Sequence, residues 1–212
     1  MTHTLHRRGA GDALERDFVV LSMTAKGVNH EGSGPNIRRF LEIARSYNPV
    51  NMGDIKTGNM HATDPDKILE QVQDTSIVHA VFCDREKVSA LLSELVEAGL
   101  GTSVVVSGLF SEVERCMCDA GLSAHTIEHS LGIRGQKHKL PCDEVLKITT
   151  MCGHGMVSAS LVAKTVRDIK RGRQNLEQAA VSVAKPCECG VFNPVRARLL
   201  LEKLAAVMTF DW

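Results

Sequence analysis

Two stretches of this chain set thiols among glycines and prolines. Residues 149–162 read TTMCGHGMVSASLV, and residues 185–194 read KPCECGVFNP. The first places Cys152 and His154 two apart on a permissive backbone. The second is a Cys-x-Cys pair, Cys187 and Cys189, beside Gly190. Two neighbouring thiolates repel unless a cation or cluster holds them. A tetrahedral zinc or an iron–sulfur cluster takes four ligands of this kind. The expected metal set is therefore Cys152, Cys187 and Cys189, with Cys142 or His154 as the fourth group. Each of the four cysteines is expected at or just before a helix start. There, unpaired amides and a partial positive charge lower a thiol pKa. Without a metal, Cys152 could act as nucleophile or proton-transfer group, with His154 or Cys187 as its catalytic partner.

The spacing follows no Cys-x-x-Cys register. Cys116 and Cys118 form another Cys-x-Cys, but on a helix such positions point about 200° apart, so they do not share a metal there. Cys83 and Cys116 are expected in the core, where free cysteine behaves as a small hydrophobe.

The segment MCGHG is similar to the one around a catalytic cysteine in the proline racemase family. That resemblance implies Cys152 and Cys187 facing each other across an α-carbon as proton donor and acceptor. It covers about five residues of 212, and the paired β-rich lobes of that family are missing here.

Other segments offer substrate contacts. NHEGSGPN (29–36) joins an expected strand to an expected helix, the place where α/β proteins bind anions at strand ends. It supplies His30 and Ser33, without either nucleotide-loop spacing. GDIKTGNMH (53–61) offers Lys56, Asn59 and His61 on a long loop suited to closing over a pocket. His125 and His129 would share a strand face. Arg196, in the first turn after the Cys-x-Cys, is the better anion partner of the Arg196/Arg198 pair.

The elements that must carry these residues alternate strand and helix at first. DFVVLSMTA (17–25), SIVHAVF (76–82), TSVVVSGL (102–109) and SAHTIEHSLGI (123–133) read as strands. NIRRFLEIARSY (36–47), DPDKILEQVQ (64–73), REKVSALLSELVEAG (85–99) and FSEVERCMCDAG (110–121) read as helices. The run from 76 to 109 is a βαβ unit with parallel strands. From Leu140 onward only helices are convincing. The expected fold is thus α/β, doubly wound or ferredoxin-like, followed by a helical carboxy-terminal subdomain. Its divisions are a loose polar arm at 1–16, an α/β domain at 17–139 and a helical, cysteine-bearing part at 140–212.

Lys plus Arg and Asp plus Glu balance at 25 each, and aromatics are 4%. No field or stacking platform invites nucleic acid or an anionic membrane. Neither a signal peptide nor a bilayer-length apolar run is seen, and seven cysteines without a leader point to a reducing cytoplasm. The leading expectation is a small-molecule enzyme with a [4Fe–4S] or related iron–sulfur cluster, zinc being the alternative metal. The other expectations are cofactor-free cysteine catalysis and a zinc-stapled regulatory or sensor domain. The odd cysteine count leaves room for a site shared within a homo-oligomer.

Overall fold

Strand β1 (Phe18–Met23) explains the architecture, because its side chains alternate between two cores. A computed structural model describes residues 4–9 and 11–208 of the chain; the remainder of the expected 1–16 arm lies outside the described residues. Phe18 and Val20 enter a core with Ile37, Phe40 and Leu41 of α2 (Gly34–Ser46) and with Val88 and Leu91 of α4 (Arg85–Ala98). Val19 enters the opposite core, with Val81 and the carboxy-terminal helices. Each fully buried side chain of this size contributes about 1.5–3 kcal/mol.

The remaining elements are α1 (Gly11–Leu14), β2 (Asn51–Asp54), β3 (Gly58–Asn59), α3 (Pro65–Glu70), β4 (Val78–Phe82), β5 (Ser103–Ser107) and α5 (Phe110–Asp119). The helical part comprises α6 (Asp143–Thr149), α7 (Ala159–Lys170), α8 (Leu176–Ala184) and α9 (Pro194–Val207). The five-stranded sheet runs β3-β2-β4-β1-β5, and every direct pairing is antiparallel. Dropping the short β3 leaves β2-β4-β1-β5, the split βαβ order of ferredoxin-like domains. Strands β4 and β5 do run parallel, as the βαβ reading requires, but β1 lies between them. The fold is therefore α/β with a helical carboxy-terminal part, ferredoxin-like rather than doubly wound.

Three local expectations change. Residues 123–133 form no strand: the segment is irregular and exposed, with Ile127 at 66% and Leu131 at 77% accessibility. Alternation alone does not make a strand without a pairing edge. His125 and His129 therefore stand on an open segment, with His129 edge-on to Phe110 at 6.3 Å. The turn-rich residues 48–66 are not a lid. They form the β2–β3 hairpin, with Asn51, Asp54 and Asn59 fully buried.

The glycine loop 26–36 is the third. Its amides do bind a carboxylate, but an internal one: Asp74 accepts from Gly32 and Gly34 at 2.9 and 2.8 Å. These amides, Gly34 first, hold the Asp74 carboxyl below its usual range. His30 Nδ1 accepts from the Gly27 amide at 2.9 Å. The Ser33 hydroxyl is tied to the carbonyls of His30 and Asp74. The place expected for an outside anion is taken by the chain itself.

Candidate thiol site

The sequence places the cysteines at helix starts; the structure places the important ones at helix ends. Cys152 follows α6, its amide bonded to the Thr149 carbonyl at 3.3 Å, and α7 begins seven residues later. Cys187 follows α8, its amide bonded to the Ala184 carbonyl at 3.0 Å. A helix C-terminus carries partial negative charge, so helix dipoles do not activate these thiols. Only Cys142 sits at a helix N-cap, and it is exposed. Cys152, Cys187 and Cys189 are buried together, at 0%, 0% and 1% accessibility, in one core from which Cys142 is absent.

Loop amides do the work that helix amides were expected to do. The amides of His154 and Met156 donate to the Cys152 sulfur, that of Phe192 to Cys187 and that of Val191 to Cys189. Gly153 and Gly155 have φ of 70° and 75°. This left-handed backbone turns the alternate amides back onto the preceding sulfur, which explains glycine on both sides of His154.

The three sulfurs form a line of contacts. Cys152 and Cys187 share a hydrogen bond, Cys187 and Cys189 stand 3.9 Å apart, and His154 Nδ1 lies 3.5 Å from the Cys189 sulfur. The bond with Cys187 and burial push the Cys152 thiol up. Cys187 is drawn down by Cys152 but pushed further up by Cys189 and by burial, to about 12. The bond from Cys187 lowers Cys189, against the effect of its burial. Protons thus sit on the first two sulfurs, and the third is the readiest thiolate. A Cys152 held protonated this firmly is a poor free nucleophile.

A pH dependence follows for the metal-free protein. Above about pH 8.5, the ordinary thiol value, an unfolded chain releases the Cys152 and Cys187 protons while the folded chain keeps them. Stability from these two is complete below that pH and is lost as pH rises, at up to about 1.4 kcal/mol per pH unit for each thiol. Cys189 acts oppositely: its contribution is complete above the unfolded value and is lost as pH falls through its lowered folded value. The urea midpoint should fall between pH 8.5 and 10.5, and Cys152→Ser should remove much of that slope. A flat profile would contradict the proton placement.

Three further elements hold the loops in place. The Asn59 amide donates to the carbonyls of Lys185 and Cys187 at 3.0 and 2.9 Å, and Asn51 to that of Phe192 at 2.8 Å. The hairpin expected to close over substrate instead clamps the Cys-x-Cys loop from below. Gly190 packs directly on Gly53 of β2: a Cβ at Gly190 would stand 2.6 Å from the Gly53 nitrogen and from the Met52 carbonyl carbon. Finally, the amino-terminal arm is not loose. The Arg7 guanidinium donates to the carbonyl of Met151 at 3.2 Å and to that of Val191, joining the two cysteine loops.

Cys152, Cys187, Cys189 and His154 therefore come together, and the other expected site residues do not join them. Arg196 is buried in an ion pair with Asp17 at 2.8 Å and is no anion hook for substrate. Lys56 reaches Thr75 and Gln73 on the surface. It borders an open depression of ≈ 280 Å³, lined also by Thr57 and by Glu70, Gln71, Val72 and Gln73, that contains none of the thiol residues. Sequence reasoning missed Arg7, Asp17, Asn51 and Gly53. The buried asparagines flanking a glycine were a visible signal, whereas a lone arginine in a polar arm gave none.

Among the described residues no three His, Cys, Asp or Glu side chains are grouped so that they could hold a metal ion as they stand. The donor set nonetheless fits a thiophilic ion in chemistry: three thiols, one imidazole and amide donors to each sulfur. The 3.9 Å separation of Cys187 and Cys189 is close to the roughly 3.8 Å edge of a tetrahedron with 2.3 Å metal–sulfur bonds. Among the described residues no helix is long and apolar enough to cross a membrane. No protein-family model, no curated protein and no solved structure matches this chain.

Proposed function

We propose that Cys152, Cys187 and Cys189, with His154 as the fourth donor, hold a thiophilic metal centre whose one open side serves small-molecule chemistry. The observation that carries this reading is the burial of three contacting thiols, each receiving backbone amide bonds at its sulfur. Buried thiolates need a cation, and amide donors to sulfur are the usual outer support of thiolate-bound metals.

The site is asymmetric. His154 is exposed on its glycine-flanked loop while the sulfurs behind it are buried. A purely structural zinc has four closed ligands; a reactive one keeps a position that can open. The imidazole side is the position that exchanges, and the three sulfurs are the permanent anchor.

The Cys187–Cys189 separation favours a single tetrahedral ion, with zinc as the first choice. A four-iron cluster is the second reading. Three cysteines are the ligand number that leaves one iron open to a Lewis-acid role, and the exposed 153–156 loop offers the side on which the sulfurs could spread. Purification without oxygen followed by zinc, iron and sulfide analysis tests both. One zinc per chain supports the single-ion centre, and stoichiometric iron with sulfide supports the cluster. A metal-free protein that binds neither Zn²⁺ nor Co²⁺ on addition refutes the proposal.

A further inference from the structure

The amino-terminal arm brings a net positive charge into the core beside the thiol site. Asp17 is fully buried and receives two arginines, Arg7 at 2.5 Å and Arg196 at 2.8 Å; the three side chains are 0%, 6% and 4% exposed. Their formal sum is +1. Buried excess charge is strongly unfavourable unless a counter-charge lies near. Both guanidiniums also bury an Nε–H that has no hydrogen-bond partner among the described residues. Arg7 points the rest of its fork at the carbonyls of Met151 and Val191, each close in sequence to a site cysteine. Its charge is felt at Cys189.

We infer that Arg7 is the counter-ion and positioning residue of the thiol site, and that the buried Arg7–Asp17–Arg196 group matches a centre of net charge −1. This deepens the proposed function and rests on it. Three thiolates, a neutral His154 and one divalent ion sum to −1. Three thiolates on a cluster core of charge +2 give the same sum. A monovalent ion on the same thiolates gives −2 and leaves the core unbalanced. The arm thus acts in two ways: it ties the 151 and 191 loops together, and it sets the charge class of the occupant.

Co²⁺ titration of the full chain, followed by its sulfur-to-metal absorption and by chelator competition, tests this with Arg7→Gln, Arg7→Lys and Asp17→Asn. Circular dichroism and melting report folding separately. Arg7→Gln should bind Co²⁺ weaker by roughly tenfold or more, as one unit charge at close range in the interior implies. Arg7→Lys should stay within a few-fold of wild type, since it keeps the charge and loses the fork. Asp17→Asn should melt earlier yet bind Co²⁺ at least as tightly, because it raises the local positive charge. If Arg7→Lys and Arg7→Gln weaken binding equally, or Asp17→Asn weakens it as Arg7→Gln does, the counter-charge role is overturned. Wild type that binds Co²⁺ with Arg7→Gln indistinguishable from it overturns this inference alone. Wild type that takes up no Co²⁺ overturns the metal centre as well.

Discussion

Cys187→Ala should abolish stoichiometric metal uptake while leaving a folded chain. Cys187 is the middle sulfur, in contact with both Cys152 and Cys189. Its loss leaves two separated thiols and an imidazole, too few to close a tetrahedral set around one ion. In chelator, the variant should lose only about 1 kcal/mol, the scale of one small buried group. With Zn²⁺ present at about a thousand times its dissociation constant, wild type should gain about 4 kcal/mol by mass action; the variant should gain almost nothing. Denaturant melts with and without Zn²⁺ read this as a difference of differences. Cys142→Ala and Cys118→Ala are the controls, since both thiols are exposed. A Zn²⁺ response lost in Cys142→Ala as completely as in Cys187→Ala would return Cys142 to the ligand set and displace His154.

Gly190→Ala should be more damaging than any cysteine change in the metal-free protein, and for a different reason. Gly190 has φ of 79°, and a methyl there would meet the backbone of Met52 and Gly53 at 2.6 Å. Neither neighbour is a flexible side chain, so the Cys187–Gly190 turn must lift off β2. Lifting it breaks the Asn59 bonds to the Lys185 and Cys187 carbonyls. A left-handed non-glycine residue, steric overlap and lost buried hydrogen bonds together should cost about 3–5 kcal/mol. Metal affinity should fall alongside, because the sulfurs of Cys187 and Cys189 move with the turn. Gly155→Ala is the informative contrast. Its φ is 75°, but no atom lies within 4 Å of the added methyl. It should cost only about 1–2 kcal/mol, from backbone strain alone. Equal melting temperatures for Gly190→Ala and wild type would contradict the close packing of this turn on the sheet.

The two cases show why parts of this protein were legible before its coordinates and others were not. Cys152, His154, Cys187 and Cys189 could be singled out because their types and glycine neighbours are unusual within a few residues of chain. The strand and helix runs were legible for the same local reason: period-two and period-3.6 apolar spacing is written in consecutive residues. The hairpin at 51–59 and the irregular segment at 123–133 were misread because their local composition points the other way. Turn formers became buried pairing residues under the Cys-x-Cys loop, and an alternating segment found no strand to pair with. Ser33, Asn59 and Arg196, expected to face substrate, are likewise tied to internal partners. Polar residues near a glycine loop resemble a binding site until their internal partners are known.

Residue order alone marked the thiol- and imidazole-bearing segments, the α/β character and the helical carboxy-terminal third. All three depend on side-chain type and short-range periodicity. It took the packing of distant segments to separate β4 from β5 by β1, to leave Cys142 outside, and to bring Arg7 from the amino-terminal arm to two loops more than 140 positions away. Those outcomes depend on which distant surfaces bury each other and where an unpaired charge finds its partner. No window of neighbouring residues contains that information.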